Sequence, residues 1–480
     1  MAETQNNRAL LHRKEWQTMT PAPVATAAGS FVVAGTSGAR RYALFMSSAT
    51  VHYLYDHLED DWLPIASAAL GGTFVAGACG THLAWSTTYT ATGGSTTTVT
   101  VNSATHNING NVVGDEIEFL TGTAGNIGQR RTITGIKTNI GTGTITITFN
   151  TAPSSVANND TFRISSGSFF VIGTGTLAAT SFRRYDIATG AWSSLTNTGL
   201  PATWGTDGKM VSPYARSDAY DSGTATSGST TTLVCTGKGW TNDQWINYRV
   251  RITGGTGVGQ KSLITDNTTD TLTFAAGATI DATSTFVIEG DENSIYLLGN
   301  NAVTMYKYNI SANTWATVAP TVARAGAPIA GMSADWVGET GDATWAAITD
   351  IKDGRYIYSL RGGTSVIDRY DISGGTNGAG AWTAVTYQPS LQTFATGDST
   401  EWSGLYIYIA KEGTAAIPQR FYKYDLIGNT VIPMTTDWYF GGAALLGNKL
   451  WIKNLSSEGT IKWMYCLQST STNLRRIMVF

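Results

Sequence analysis

Charge is scarce in this chain. Only 14% of its 480 residues are Asp, Glu, Lys or Arg, against about 25% in an ordinary soluble domain. The formal net charge of −3 excludes a nucleic-acid binder that works by bulk neutralisation of phosphates. Thr, Ser, Asn, Gly and Tyr, or contacts with other subunits, must therefore cover the surface. Cysteine is scarce too. Cys79, Cys235 and Cys466 are odd in number and far apart, which excludes a disulfide framework and leaves reduced, buried thiols as the expectation. No run approaches the roughly 18 consecutive apolar residues of a membrane helix. The opening MAETQNNRALLHRKEW has no apolar h-region, so neither a Sec signal nor membrane insertion is expected. Helical periodicity is nearly missing as well. Global disorder is excluded by the 42% of apolar residues, and collagen by the lack of a three-residue period among the 54 glycines.

What is present is strand. Short alternating or apolar runs rich in β-branched and aromatic residues recur between Gly, Asn and Ser: ITITF (145–149), FFVIG (169–173), IYLLG (295–299), YIYSL (356–360), LYIYI (405–409) and LWIK (450–453). One unit repeats: an apolar strand, a turn, a strand ending in Tyr-Asp or Tyr-Asn, a short polar turn, then Trp opening another strand. It reads YDHLEDDW from Tyr55 to Trp62, YDIATGAW from Tyr185 to Trp192 and YNISANTW from Tyr308 to Trp315. A fourth copy, Tyr370 to Trp382, holds a Gly-rich insertion (GGTNGAGA). A fifth starts at Tyr424 with Val431 in the Trp place, and a degenerate sixth starts at Tyr465.

A small four-stranded sheet cannot bury its own faces, so such units pack side by side around an axis, with large aromatics filling the seams. The pattern resembles the Kelch repeat family. The best copy is RGGTSVIDRYDIS, where Gly362 and Gly363 take the double-glycine position, Tyr370 follows and Trp382 closes the unit. Other copies place Ser47-Ser48, Gly173-Thr174-Gly175 or Asn300-Asn301 there. The resemblance implies an all-β, Kelch-like β-propeller of six blades, or seven if WQTMTP (16–21) supplies a further outer strand.

The intervals between successive Tyr residues are 130, 123, 62, 54 and 41 residues, and a blade needs about 40–50. The first two are oversized by one small domain each. The surplus is itself duplicated: residues 95–164 and 229–288 share elements in the same order, matching Ser95 with Ser229, Gly128-Gln129 with Gly259-Gln260, and Thr161-Phe162 with Thr285-Phe286. Two small β-barrel or sandwich domains are expected, each between a blade's first and second strands, hence side by side on one face. The expected division is an N-terminal arm (1–28), propeller parts at 29–92, 166–216 and 291–480, and inserts at 93–165 and 217–290.

Candidate chemistry is sparse. GGTGVGQKS (254–262) superficially suggests a phosphate loop, but Gln260 separates Gly259 from Lys261 and a β-like run follows instead of a helix, so a hairpin tip is expected. His52 and His57 lie among acids in HYLYDHLEDD, where a metal site competes with a solvated turn. A copper-radical oxidase needs a Tyr, Cys and two-His set that five histidines in all do not supply. Of a sialidase-type Asp box only the fragment GDATW (341–345) is visible. Asp335, Glu339, Asp342, Asp350 and Asp353 gather where a glycosidase pair would fit. Arg doublets at 40–41, 130–131, 183–184 and 475–476 read as solvated or partner-pairing residues. Among aromatics in loops, Trp240, Trp245, Trp336 and Trp402 are the candidates for stacking on a sugar.

No catalytic, cofactor or metal residues are therefore assigned, and no enzyme activity is expected. The T-G-x-G-x-G-Q texture of the inserts resembles small β modules of bacteriophage tail and other virion structural proteins. That resemblance implies a virion structural protein, assembled in the bacterial cytoplasm. It would be mounted on a tail, adaptor or capsid, with neighbouring virion proteins as partners and a host surface glycan as a further one. The alternative is a carbohydrate-binding or glycan-cleaving propeller acting on bacterial surface polysaccharide.

Overall fold

The computed structural model describes residues 16–27, 30–34, 42–47, 51–65, 78–109, 112–152, 154–173, 182–200, 209–212, 220–298, 303–325, 334–339, 352–361, 363–385, 387, 393–394, 399–402, 406–411, 420–426, 428–434, 449–454, 462–467 and 471–479. The fold is all-β, built from antiparallel sheets with almost no helix.

Six four-stranded sheets follow one another, each with its strands side by side. Sheet A is Phe31–Ala34, Tyr42–Met46, His52–Asp56 and Asp61–Ile65. Sheet B is Cys79–Leu83, Ser168–Ile172, Phe182–Asp186 and Ala191–Ser194. Sheet C is Lys209–Val211, Ser294–Leu298, Met305–Asn309 and Thr314–Val318. Sheet D is Ala334–Glu339, Lys352–Leu360, Ile367–Asp371 and Ala381–Val385. Sheet E is Ser399–Trp402, Tyr406–Lys411, Arg420–Asp425 and Thr430–Pro433. Sheet F is Lys449–Asn454, Lys462–Leu467, Leu474–Val479 and, last, Gln17–Thr18. Their first strands touch in a closed cycle, A to B and onward to F and back to A.

The repeat explains the cycle. Tyr55, Tyr185, Tyr308 and Tyr370 each pair across strands with Trp62, Trp192, Trp315 and Trp382, and Tyr424 pairs with Val431 in the same slot. Ring centroids in the Tyr–Trp pairs lie 4.8, 4.9, 5.0 and 5.1 Å apart. These residues sit in apolar clusters that each span two neighbouring sheets, and six such clusters complete the circuit. Tyr308 meets Phe182 of sheet B at 4.9 Å, Tyr370 meets Tyr296 of sheet C at 6.2 Å, and Tyr424 meets Tyr358 of sheet D at 6.3 Å. Each buried aromatic contributes about 1.5–3 kcal/mol.

The turn in the unit has its own logic. The residue after Tyr caps it: Asp56, Asn309 and Asp425 accept the amides of Leu58, Ala312 and Gly428. The residue two before the Trp slot has positive φ in all five copies: Asp60, Gly190, Asn313, Gly380 and Asn429. Only Gly, Asn and Asp enter that region cheaply. Where it is Asp60, Asn313 or Asn429, its side chain also accepts the Tyr hydroxyl, at 2.5–2.6 Å.

The structure differs from the sequence reading at the join. No seventh sheet of this kind occurs among the described residues. The WQTMTP strand instead completes sheet F, Gln17 and Thr18 pairing with Arg476 and Arg475. Residues 16–27, expected in an N-terminal arm, thus bind this chain's own last strand; Met19 and Ala22 donate to the carbonyls of Leu474 and Thr472. Because the N-terminus supplies the fourth strand, LRRIMV is the third, and Tyr465 stands on the second strand, against Tyr55 of sheet A at 5.7 Å.

Between the first and second strands of sheet B the chain builds a closed barrel: Tyr89–Gly94, Thr98–Asn102, Glu116–Thr121, Arg130–Asn139, Thr144–Phe149 and Asn158–Ile164. At the same point in sheet C it builds a duplicate: Asp221–Thr224, Ser227–Gly228, Thr232–Val234, Arg249–Gly254, Lys261–Asn267, Thr271–Phe274 and Thr285–Glu289. Strand order is the same, except that the first strand of the duplicate breaks at Ala225 and Thr226. These two amides still donate outward, to Ser284 and Val234. Alternating residues such as Val99, Val101, Ile145 and Ile147 fill the barrel while the Thr between them face outward.

Candidate functional site

The two duplicated modules meet each other at equivalent positions. A Cβ on Gly128 would lie 2.8 Å from the Cα of Gly259, and one on Gly259 would lie 2.2 Å from the Cγ2 of Ile127. Both glycines have positive φ, so each turn needs glycine for its own shape and for the approach. The glutamines that follow part ways. Gln129 donates its amide across the junction to the carbonyl of Thr253 at 3.3 Å, whereas Gln260 donates to Ser262 within its own hairpin.

Around this contact lies a cluster of ionised side chains. Glu118, Arg130 and Arg163 come from the barrel, Arg251, Lys261 and Glu289 from its duplicate, and Glu292 from the strand entry into sheet C. Arg130 bridges to Glu289 of the other module at 2.9 Å and to Glu118 at 3.5 Å. Lys261 reaches Glu292 at 2.9 Å and Glu118 of the other module at 3.4 Å. Arg163 pairs with Glu118 and lies 2.7 Å from Glu292. Arg251 binds Glu289 at 2.9 Å and donates to the carbonyl of Gly128 at 2.8 Å. Trp85 is fully buried beneath two of these cations, with Arg163 and Arg130 at 4.3 and 5.0 Å from its ring.

Electrostatics fix the charge state. Burial alone would raise the Glu118 carboxyl, but Arg163, Lys261, Arg130 and Arg251 outweigh it and hold the group far below the usual carboxylate range. Burial also opposes ionisation of Glu292, and Arg163 with Lys261 holds it at about 2. Glu289 is likewise depressed against its burial, by Lys261, Arg130 and Arg251. These acids stay charged at every ordinary pH. A general acid needs a carboxyl pushed the other way, so the cluster fastens two modules and is not built to exchange protons.

Each module also grips a turn of the ring. Asn109 of the barrel binds Ile187 and Ala188 of sheet B through its side chain and amide. In the duplicate, Asn247 donates to the carbonyls of Ile372 and Gly378 of sheet D, both at 2.9 Å, and Ser373 donates to that of Ile246 at 2.6 Å. The Gly-rich insertion of the fourth repeat is the seat for this contact.

The residues singled out from sequence are placed as follows. Trp240 and Trp245 are 6% and 4% exposed inside the duplicate module, and Trp240 donates to Asp221; neither offers a ring face to solvent. Trp336 and Trp402 lie on first strands of sheets D and E, and their side chains lie outside the described residues, as do Gly362, Asn300, Asn301, Asp342 and Asp350. Gly363 has positive φ and donates to Phe394. Asp335, Glu339 and Asp353 lie on strands of sheet D. GGTGVGQKS is a hairpin between two strands, with Lys261 taken up by the ion cluster. His52 and His57 are buried, His57 against Tyr55 and Tyr465. Among the described residues no group of three or more His, Cys, Asp or Glu is placed to hold a metal. The three cysteines are free and buried. The ion cluster as such left no motif, its members being scattered from position 118 to 292; the sequence singled out only Arg130, in a doublet, and Lys261, in GGTGVGQKS.

No protein-family model matches the chain, and no curated protein matches it. Among solved structures, one titled "Structure of YjhT" is 9% identical, covers 96% of each chain and has a TM-score of 0.39. Another, "Phage phi92 endosialidase", is 14% identical over 62% of this chain and 39% of its own, with a TM-score of 0.26. At these values neither likeness carries weight for fold or function.

Proposed function

We propose that the ring of sheets is a six-bladed, Kelch-like propeller with two inserted barrels. In this reading the chain is a non-enzymatic structural protein of a bacteriophage virion, mounted on tail, adaptor or capsid. The barrels would make its contacts with neighbouring subunits or the host surface. One observation carries the reading: the densest set of charged groups among the described residues is consumed in locking the two barrels together. That arrangement suits a stiff display platform, since a rigid pair presents its surface without an ordering cost on assembly. The inserts' resemblance in texture to virion modules and the low charge content of the chain agree with it.

The test is to purify particles through a density gradient and quantify this polypeptide by mass spectrometry. A fixed copy number that matches the symmetry of tail, adaptor or capsid is expected. Its absence from infectious particles would sink the proposal.

A further inference from the structure

The two modules differ along one strand edge. In the barrel, Arg130–Asn139 pairs with Glu116–Thr121 only as far as Thr132, and Lys261–Asn267 takes the equivalent place in the duplicate. Both strands bulge just after an isoleucine that is held alike: Gly114 and Asp115 close on Ile133, Asn247 and Tyr248 on Ile264. Beyond that point the modules part. In the duplicate, residues 240–248 lie along the edge. Asp243 donates to the carbonyl of Asn267, Trp240 donates to that of Thr269, and the Asn267 side chain binds Thr241 and Trp245. Trp240 and Trp245 fasten this cover by packing into the module core. In the barrel the corresponding segment is drawn away to sheet B, where Asn109 binds Ile187 and Ala188. Among the described residues, nothing bonds the outer backbone edge of residues 134–139.

The bare edge is also the longer one. Past the bulge, five cross-strand pairs follow in the barrel and two in the duplicate, so the barrel's hairpin reaches about 10 Å further. Alternate residues of such a strand turn both backbone groups outward. Exposed apolar side chains mark the two ends. Ile140 at the tip is 91% exposed, and Val113, one residue before the amide that closes on Ile133, is 51% exposed. The duplicate shows no exposed large apolar side chain among its described residues.

We propose that this edge docks the same edge of a second copy of the chain, the two strands running antiparallel about a two-fold axis. An open edge is a template for a further strand, and a two-fold contact needs a surface that complements itself. Antiparallel pairing carries Ile140 of each copy toward the partner's Val113. Apolar residues at opposite ends are what a two-fold requires and what a foreign strand does not. Lys137 selects the register. Set opposite its twin it would repel; in the neighbouring register Ile136 stands opposite Ile136, and Lys137 faces Gly135, which leaves it room. So short an edge gives a weak contact, with a Kd between about 1 μM and about 1 mM, which repetition in an assembly would strengthen. The inference deepens the proposed subunit contacts of the barrels and rests on that reading. The purified chain tests the pairing and particle composition tests the reading, so either can fail alone.

Sedimentation velocity of the full chain from about 5 to about 500 μM should show a monomer–dimer equilibrium. Val113→Asp and Ile140→Asp, both at exposed places, should each weaken it at least about tenfold, because each removes an apolar contact at both ends. Hydrogen exchange at the upper concentration should slow at alternate amides within residues 135–139. Ile136→Cys should form an intermolecular disulfide on mild oxidation, the native cysteines being buried. Asn139→Cys should not, since its twin then lies about 20 Å away. A chain still monomeric at the upper concentration would overturn the proposal and leave the edge to a different protein. A dimer untouched by both Asp variants, with exchange at 135–139 unchanged, or cross-linking at position 139 and not at 136, would overturn it as well.

Discussion

Glu118→Gln isolates what the ion cluster contributes. The substitution keeps the side chain's shape and removes one negative charge from a site where Glu118 is 1% exposed and faces Arg163, Arg130 and Lys261. The cluster holds three acids and four bases, so the loss moves its net charge from +1 to +2. Removing one partner of a buried ion pair costs about 3–5 kcal/mol, because the remaining charges are left desolvated. That is a large share of the roughly 5–15 kcal/mol that holds an ordinary domain. The assay is urea unfolding followed by tryptophan fluorescence, since Trp85 lies beneath Arg163 and Arg130. A cycle with Arg163→Gln should return a coupling above about 1 kcal/mol, as expected for groups sharing a network. Replacing the whole cluster by apolar side chains should cost far less than either single change. If Glu118→Gln unfolds within about 0.5 kcal/mol of the parent, the span of ordinary surface substitutions, the cluster is not a lock.

Gly259→Ala should separate the modules, since its Cβ would sit 2.2 Å from Ile127 at a φ of +87°; faster amide exchange at the junction, with the sheets unchanged, would confirm it. Deleting residues 1–20 removes the fourth strand of sheet F and the contact of Trp16 with Phe421. The truncated ring should melt well below the full chain, and equal melting points would refute the latch. Asn429→Ala should cost about 1–3 kcal/mol, from the strain of a non-glycine residue at positive φ plus the lost acceptor for Tyr424; Asn429→Gly should recover part of it. Burial holds the His52 imidazole down at about 4 from 6.5. Its neutral form is favoured in the fold, so stability is present above pH 6.5 and falls by about 2 kcal/mol as pH drops toward 4. Glu292, held at about 2 against an ordinary 4.5, keeps its contribution above pH 4.5 and loses it as pH falls from there toward 2. A denaturation midpoint in His52→Leu that falls equally from pH 7 to 4 would refute the assignment.

Local features were legible because they recur. The Tyr–Trp unit could be read since cross-strand partners lie seven positions apart across one tight turn, and the same Gly, Asn or Asp must occupy the positive-φ place each time. The duplicated modules were legible from ordered matches such as Gly128 with Gly259. What joins distant segments left no pattern that names the partner. Glu118 and Lys261 meet only because two modules stand together, and the strand at Gln17 finds Arg476 only when the ring closes. Tyr465 shows the resulting error. Its spacing fits the repeat, but sheet F draws its fourth strand from the N-terminus, which moves every C-terminal strand one place inward.

The duplication also explains why the lock is asymmetric. Glu118 and Arg251 occupy equivalent places, each just before the residue that pairs with its Gly-Gln turn, Phe119 in one module and Ile252 in the other. Identical modules set side by side would present the same charge at both places, and like charges brought together cost several kcal/mol. Opposite charges remove that penalty: Glu118 receives Lys261 from the duplicate, and Arg251 reaches the Gly128 carbonyl in the barrel. Arg251→Glu should therefore loosen the junction more than Arg251→Gln, and Glu118→Arg combined with Arg251→Glu should restore part of the loss. If the double variant is no better than the sum of its singles, complementarity at this pair does not hold the modules together.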